Sequence, residues 1–292
     1  MTRLIHSLAD IAAPYDALFC DLWGCLHNGV APFPEAVEAL QNFRNIGGTV
    51  VLLTNAPRPA RFVQATLDKM GVPQDCYDLI VSSGDAAQDA MLAGAVGRKV
   101  WHLGPEKDDG FFTEIPPEWQ GQEGVERVPF EEAEGIICTG PFDEINEVPE
   151  DYRARFLMAK TRGLPLLCAN PDIVVDLGDR RIYCAGALAA LYEEMGGETL
   201  YFGKPHPPIY DLARRKLATI GLPDDARILA VGDGINTDVA GAVGEGIDAL
   251  FVTSGLAHDQ FGPDVEAPEP ELLRSWLAMR QKEPLYSIAR LR

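Results

Sequence analysis

Short apolar runs rich in Val, Ile and Leu recur along this chain, and nearly every one is followed by a segment of helical period. Residues 17–20 (Ala-Leu-Phe-Cys) read as a buried strand that ends at Asp21. Residues 34–46 then place Val37, Leu40 and Phe43 on one helix face, and Gly47-Gly48 stops that helix. The next strand, 49–53, is closed by Thr54-Asn55, and residues 59–70 align Phe62, Val63, Leu67 and Met70 up to Gly71. A third strand at 79–81 runs into Ser82-Ser83-Gly84 and a further helix. Uninterrupted apolar strands must be covered on both faces, and helices between them supply that cover. The expected fold is therefore α/β, with a Rossmann-like parallel sheet core.

The texture changes near residue 98. Residues 104–150 are rich in Gly, Pro and acids, and their strands (100–103 and 135–138) stand apart. A helix at 149–161 and a strand at 164–168 complete what reads as a second α/β unit with apolar runs of its own. A chain of 292 residues is long enough for a core plus an insertion. The expected division is a core of residues 1–97 and 186–292 with an inserted α/β cap domain at 98–185. In the second part of that core, a helix at 186–195, strands at 199–202, 227–231 and 249–252, and helices at 208–220 and 237–245 resume the first pattern.

Charge narrows the functional classes. Lys and Arg number 25 against 44 Asp and Glu, a formal charge of −19, which argues against nucleic acid held by a broad basic surface. No apolar run approaches the roughly 20 residues of a membrane helix, and residues 1–14 lack a secretory pattern. Six scattered cysteines show no zinc spacing and read as reduced, buried hydrophobes. The expectation is a cytoplasmic protein without nucleic-acid or membrane partners, its oligomeric state left open.

In parallel sheets, ligands bind beyond the carboxyl ends of the strands. Four such ends carry reactive groups: Asp21, Thr54-Asn55, Gly203-Lys204-Pro205, and Gly232-Asp233-Gly234 with Asp238 beyond. A single Asp after a strand is usually a turn former; four convergent polar ends make a device. Asp21 and Asp233 repel unless a cation lies between them, and Mg²⁺ suits their hard oxygens. Lys204 adds a permanent positive charge, and Thr54 and Asn55 add donors. Such a set can spread charge over a phosphoryl group while a carboxylate attacks.

The ordered segments Asp21-Leu22-Trp23-Gly24, Leu52-Leu53-Thr54-Asn55, Gly203-Lys204-Pro205 and Gly232-Asp233-Gly234-Ile235-Asn236-Thr237-Asp238 resemble the four motifs of the haloacid dehalogenase-like hydrolases. The long insertion, Asn170-Pro171-Asp172 and Gly186-Ala187-Leu188 are similar to the class IIA, sugar-phosphatase-like branch. The resemblance implies that Asp21 is the nucleophile of an aspartyl-phosphate and that Thr54, with Asn55, binds the phosphate. It also implies that Lys204 stabilises the phosphoryl charge. Mg²⁺ would be held by Asp21, the Trp23 backbone carbonyl, Asp233 and Asp238, and a small phosphorylated metabolite would be the substrate.

One position departs from that pattern. The family's phosphatases carry a second aspartate two residues after the nucleophile, to protonate the leaving alkoxide, where this chain has Trp23. Indole does not titrate usefully, and loss of a general acid costs about 10²–10⁴ in rate. His27 and His206 are titratable candidates near the site, with a surface-loop and a helix-approach residue as the favoured plain readings, and Arg58 is a candidate anion contact. Asn170 and Asp172 are candidate specificity residues of the cap, with turn chemistry as the plain alternative. Three functional readings remain at this level: a Mg²⁺-dependent phosphohydrolase slow on unactivated esters, a relative of different bond specificity, and a phospho-ligand binding or regulatory protein.

Overall fold

In the computed structural model, residues 2–177 and 180–292 are described; Met1, where the expected core begins, lies outside the described residues. The strands in chain order are β1 (Arg3–Leu4), β2 (Ala17–Cys20), β3 (Thr49–Thr54), β4 (Leu79–Ser82), β5 (Lys99–Leu103), β6 (Glu126–Arg127) and β7 (Gly135–Cys138). They continue with β8 (Leu166–Cys168), β9 (Val174–Leu177), β10 (Arg180–Tyr183), β11 (Thr199–Tyr201), β12 (Ile228–Gly232), β13 (Asp248–Val252) and β14 (Tyr286–Ile288). Two larger sheets result. The first runs β1-β14-β13-β12-β2-β3-β4 and the second β11-β8-β7-β5-β6, with every pairing in both parallel.

The first sheet has a switch point in its middle. From β2 the chain winds outward through β3 and β4, whereas from β12 it winds the other way through β13 and β14. The crossover helices after β2 and after β12 therefore diverge, and a crevice opens beyond the ends of these two neighbours. Register fixes what lies there: Val231 pairs with Cys20, and the Asp21 N–H donates to the Val231 carbonyl at 2.8 Å. Asp21 and Asp233 thus leave adjacent strands at almost the same level. The strands that carry them are buried throughout.

The second sheet sorts its side chains by strand alternation. Val100, Ile137 and Leu167 face the helix Ser83–Leu92, meeting Ala87, Met91 and Leu92. Leu103, Ile136, Cys138, Leu166 and Cys168 face the other way, toward the helices Arg153–Thr161 and Ala185–Glu194 through Phe156, Leu188 and Tyr192. This corrects the expected division at 185/186. The helix Ala185–Glu194 and strand β11 cover and extend the second sheet, and the chain returns to the first only with the helix Pro207–Thr219. An apolar strand looks the same whichever sheet it joins; the partners of Leu188 and Tyr192 decide the matter, and they lie in the second layer.

Smaller differences follow from short elements. The edge strand β1, its neighbour β14 and the antiparallel hairpin β9–β10 go beyond the periodicity, and the expected helix at 237–245 is a wide turn over Ile235–Val239 followed by a helix Ala240–Glu245. All six cysteines are buried thiols. Among the described residues no helix is long and apolar enough to cross a membrane.

Leu188 is fully buried among second-sheet residues. Leu188→Ala is expected to cost about 2–5 kcal/mol in urea denaturation; a loss below about 1 kcal/mol would contradict this packing.

Candidate active site

Lys204 stands at the centre of the crevice. Its ammonium donates to Asp21 Oδ1 at 2.7 Å and to Asp238 Oδ1 at 2.6 Å, and all three side chains are buried. Burial alone would neutralise the lysine, yet the Asp21 and Asp238 carboxylates override it and hold its pKa well above the ordinary value. A lysine this firmly charged is an electrostatic anchor rather than a proton donor. Its backbone is fixed as tightly: the Lys204 N–H donates to Asn55 Oδ1 at 2.7 Å, and Asn55 Nδ2 donates to the Lys204 carbonyl at 3.0 Å.

That second contact changes the expected part of Asn55. Its Nδ2 also donates to Asp172 Oδ1 at 2.8 Å, so both amide hydrogens are used and none is left for a phosphate. Asn55 is the clamp that ties the end of β3 to Lys204 and Asp172. Thr54 is buried beside it, its hydroxyl accepting from the Ala56 N–H at 3.2 Å. Asn170 is likewise internal: its Oδ1 accepts from the Asp172 N–H at 3.0 Å, a side-chain turn that aims Asp172. The clamp thus draws the second sheet's Asp172 toward the first sheet's site.

Asp21, Trp23, Asp172, Lys204 and Asp233 line one cleft of about 230 Å³, with Phe33, Val174, Val175, Asp176, Leu256 and His258 among its other walls. Lys204 is the sole lysine or arginine among the described residues lining it. A larger hollow of about 400 Å³ beside β1, lined by Leu4, Leu273 and Leu277, is remote from these groups. Hairpin residues Val174, Val175 and Asp176 are functional neighbours that periodicity passed over. The signal available was Gly178-Asp179 between Val174-Val175-Asp176-Leu177 and Arg180-Arg181-Ile182-Tyr183, a turn dipeptide between two β-prone runs.

The acids fit a divalent cation. Ligand atoms of Asp21, Asp233 and Cys25 all lie within 4.8 Å of one another. Asp233 accepts from the Leu256 N–H at 2.9 Å, and its pKa is raised well above the carboxylate range, first by burial and then by the charges of Asp21 and Asp238. Two buried carboxylates this close call for positive charge between them, and their hard oxygens suit Mg²⁺. Cys25 is the soft member of the group: burial, then Asp233 and Asp21, raise its thiol pKa well above the ordinary value, and a thiol suits a hard cation poorly. Asp238 falls outside this group, because Lys204 takes its Oδ1 while the Gly234 N–H and the Thr237 hydroxyl donate to its Oδ2. Beside Asp233 runs the backbone after Trp23; a Cβ on Gly24, at φ +72°, would lie 2.3 Å from Asp233 Oδ2, so position 24 requires glycine.

The remaining candidates are placed away from the chemistry. His27 is buried, packs edge-on against Trp23 at 5.2 Å, and accepts from the Gly29 N–H at 3.0 Å. Burial lowers its pKa to about 4, so it is neutral and structural. His206 stacks on Tyr201 at 4.7 Å in a neighbouring hollow of about 530 Å³. Arg58 turns to Asp108, 3.8 Å away.

Comparison with known proteins identifies the family. A family model described as haloacid dehalogenase-like hydrolase matches residues 18–115, and a second, HAD-hydrolase-like, matches 201–274. The crystal structure of a haloacid dehalogenase-like hydrolase from Brucella suis 1330 is 40% identical, covers 99% of this chain and 100% of its own, and superposes with a TM-score of 0.84. The chain belongs to the haloacid dehalogenase-like hydrolases. Among these hydrolases, the D-glycerol 3-phosphate phosphatase of Mycobacterium tuberculosis is 27% identical over 85% of this chain, which spans 66% of that relative's length. The ribonucleotide monophosphatase NagD of Escherichia coli K12 is 26% identical over 82% of this chain and 88% of its own.

In this hydrolase, removing one of the repelling charges should relax the cluster. Mg²⁺ is expected to raise the melting temperature of the wild type, and Asp233→Asn to raise that of the metal-free protein while abolishing the Mg²⁺ response. An equal Mg²⁺ response in both proteins, read by thermal denaturation, would exclude Asp233 as a ligand.

Proposed function

We propose that the protein is a Mg²⁺-dependent phosphomonoesterase that works on small phosphorylated metabolites through an aspartyl-phosphate on Asp21. The observation that carries this is the position of the Asp21 carboxylate. One oxygen is pinned by Lys204 at 2.7 Å, and the side chain borders a cleft that Asp233 shares. A carboxylate so held cannot swing, which lowers the cost of presenting its free oxygen to phosphorus. The phosphatase names of the relatives support the same reaction class.

In this reading Asp21 attacks phosphorus in line, and Lys204 keeps its charge beside the phosphoryl oxygens as negative charge builds on them. Asp21, Asp233 and the Trp23 carbonyl would hold Mg²⁺, which when bound supplies charge neutralisation for the phosphoryl group. Asp238 keeps Lys204 oriented from behind, and Asn55 holds its backbone. The 2.7 Å and 2.6 Å contacts of Lys204 mean that Lys204→Met would strand two buried carboxylates. Thr54 is assigned to the phosphate-facing loop rather than to direct proton transfer.

Trp23 sets the limit on rate. It lines the cleft where a phosphatase needs a proton donor for the leaving oxygen, and its indole cannot supply one. With no donor on the nucleophile's own loop, turnover depends more strongly on the leaving group's own stability as an anion. Phosphate release at saturating Mg²⁺ is expected to be about 10²–10⁴ times faster from a nitrophenyl ester than from an alkyl ester such as glycerol phosphate. Asp21→Asn should abolish both activities and Trp23→Asp should raise the alkyl activity. Equal rates on the two wild-type substrates would refute the part given to Trp23, and activity surviving in Asp21→Asn would refute the nucleophile.

A further inference from the structure

Resting on that reading, we infer that Asp172, delivered by the second sheet, is the residue that protonates the leaving oxygen and later deprotonates the attacking water. The placement argues for it first. Asp21 follows β2 on the first-sheet side of the cleft, its floor, whereas Asp172 lies between β8 and β9 on the second-sheet side, its roof. In-line displacement expels the leaving oxygen from the face of phosphorus opposite the nucleophile. A nucleophile in the floor therefore needs its acid in the roof.

The other carboxylates in and beside the cleft are committed. Asp21 and Asp238 are tied to the Lys204 ammonium, and Asp233 faces Asp21 as a cation ligand. Asp176 is held by a two-pronged contact with Arg181, at 2.7 and 2.9 Å. Among the described residues, the side-chain partner of the Asp172 carboxylate is the neutral amide of Asn55, which donates to Oδ1. A carboxyl with a neutral partner can hold a proton on its second oxygen, whereas one facing an ammonium cannot. Among the described residues, the charged and titratable groups around it are Lys204 and Asp238, Asp21 at the end of β2, and the Cys168 and Cys184 thiols. Burial pushes its pKa to about 6, outweighing the Asn55 hydrogen bond and the Lys204 charge, a value suited to giving and retaking a proton near neutrality.

The step balances. An Asp21 oxygen bonds to phosphorus as the bond from phosphorus to the leaving oxygen breaks, and that oxygen takes the Asp172 proton, leaving Asp172 as carboxylate. Water then gives a proton back to Asp172 while its oxygen bonds to phosphorus and the Asp21–phosphorus bond breaks. Asn55 anchors Asp172 from one side, so it is less freely placed than an acid on the nucleophile's own loop. This is consistent with slow turnover of unactivated esters.

The test is a leaving-group series, from 4-nitrophenyl through phenyl to glycerol phosphate, on the full-length chain with Mg²⁺. Asp172→Asn keeps an oxygen to accept from Asn55, and its melting temperature reports whether the fold is intact. The expected loss in kcat is about 3-fold on the nitrophenyl ester and grows to about 10²-fold on the phenyl and alkyl esters. Trp23→Asp in the same background should restore the latter. A loss equal across the series would make Asp172 a positioning residue acting through Asn55 and overturn the inference. So would a leaving-group effect found in His258→Ala instead, or wild-type enzyme without turnover of the phenyl ester. Loss of the nucleophile reading is separate, since it shows as activity in Asp21→Asn.

Discussion

The site depends on one buried ammonium. Lys204 donates to two carboxylates that come from different strands of the first sheet, and its own backbone is clamped by a residue from a third. Each of these acids would be costly to bury alone, and the lysine more so. Together they form a network in which each group justifies the desolvation of the next. The same network leaves an excess of negative charge at Asp21 and Asp233, which a divalent cation would neutralise. Structure and chemistry share one origin: acids brought together at a topological switch point, with too little positive charge to neutralise them.

The two-layer arrangement follows from where the parallel strands end. The first sheet presents its carboxyl ends at the crevice beside β2 and β12. The second sheet is also parallel, and after β8 it sends Asn170-Pro171-Asp172 to the same place. Floor and roof meet through Asn55, whose amide touches Lys204 and Asp172 at once. This hydrogen-bond pattern turns two sheets with separate cores into one site.

Much of this was legible from residue order. Strand ends at Asp21, Thr54 and Asp233 were readable because apolar runs stop abruptly at polar residues, and a parallel register converts those stops into neighbours. Sheet membership was not readable for β11, since Thr199-Leu200-Tyr201 carries no mark of its partner. Lys204 was thus found at a strand end, but of the other sheet. The part played by Asn55 was hidden too, because a side-chain amide after a strand serves a ligand or a neighbouring backbone equally well. His27 illustrates the limit of loop reading. Its position six residues past Asp21 suggested solvent, while its contact with Trp23 buries it and removes its charge.

The helix Ser83–Leu92 begins directly after β4 of the first sheet, yet Ala87, Met91 and Leu92 lie against Val100, Ile137 and Leu167 of the second. Lifting the upper layer as a rigid lid would expose these side chains, at about 1.5–3 kcal/mol for each large one. The β9–β10 hairpin is tied down far less, with Ile173 and Tyr183 at its ends exposed. Parting the two layers is therefore the costly way to open the cleft, since it exposes apolar side chains that neither layer covers alone.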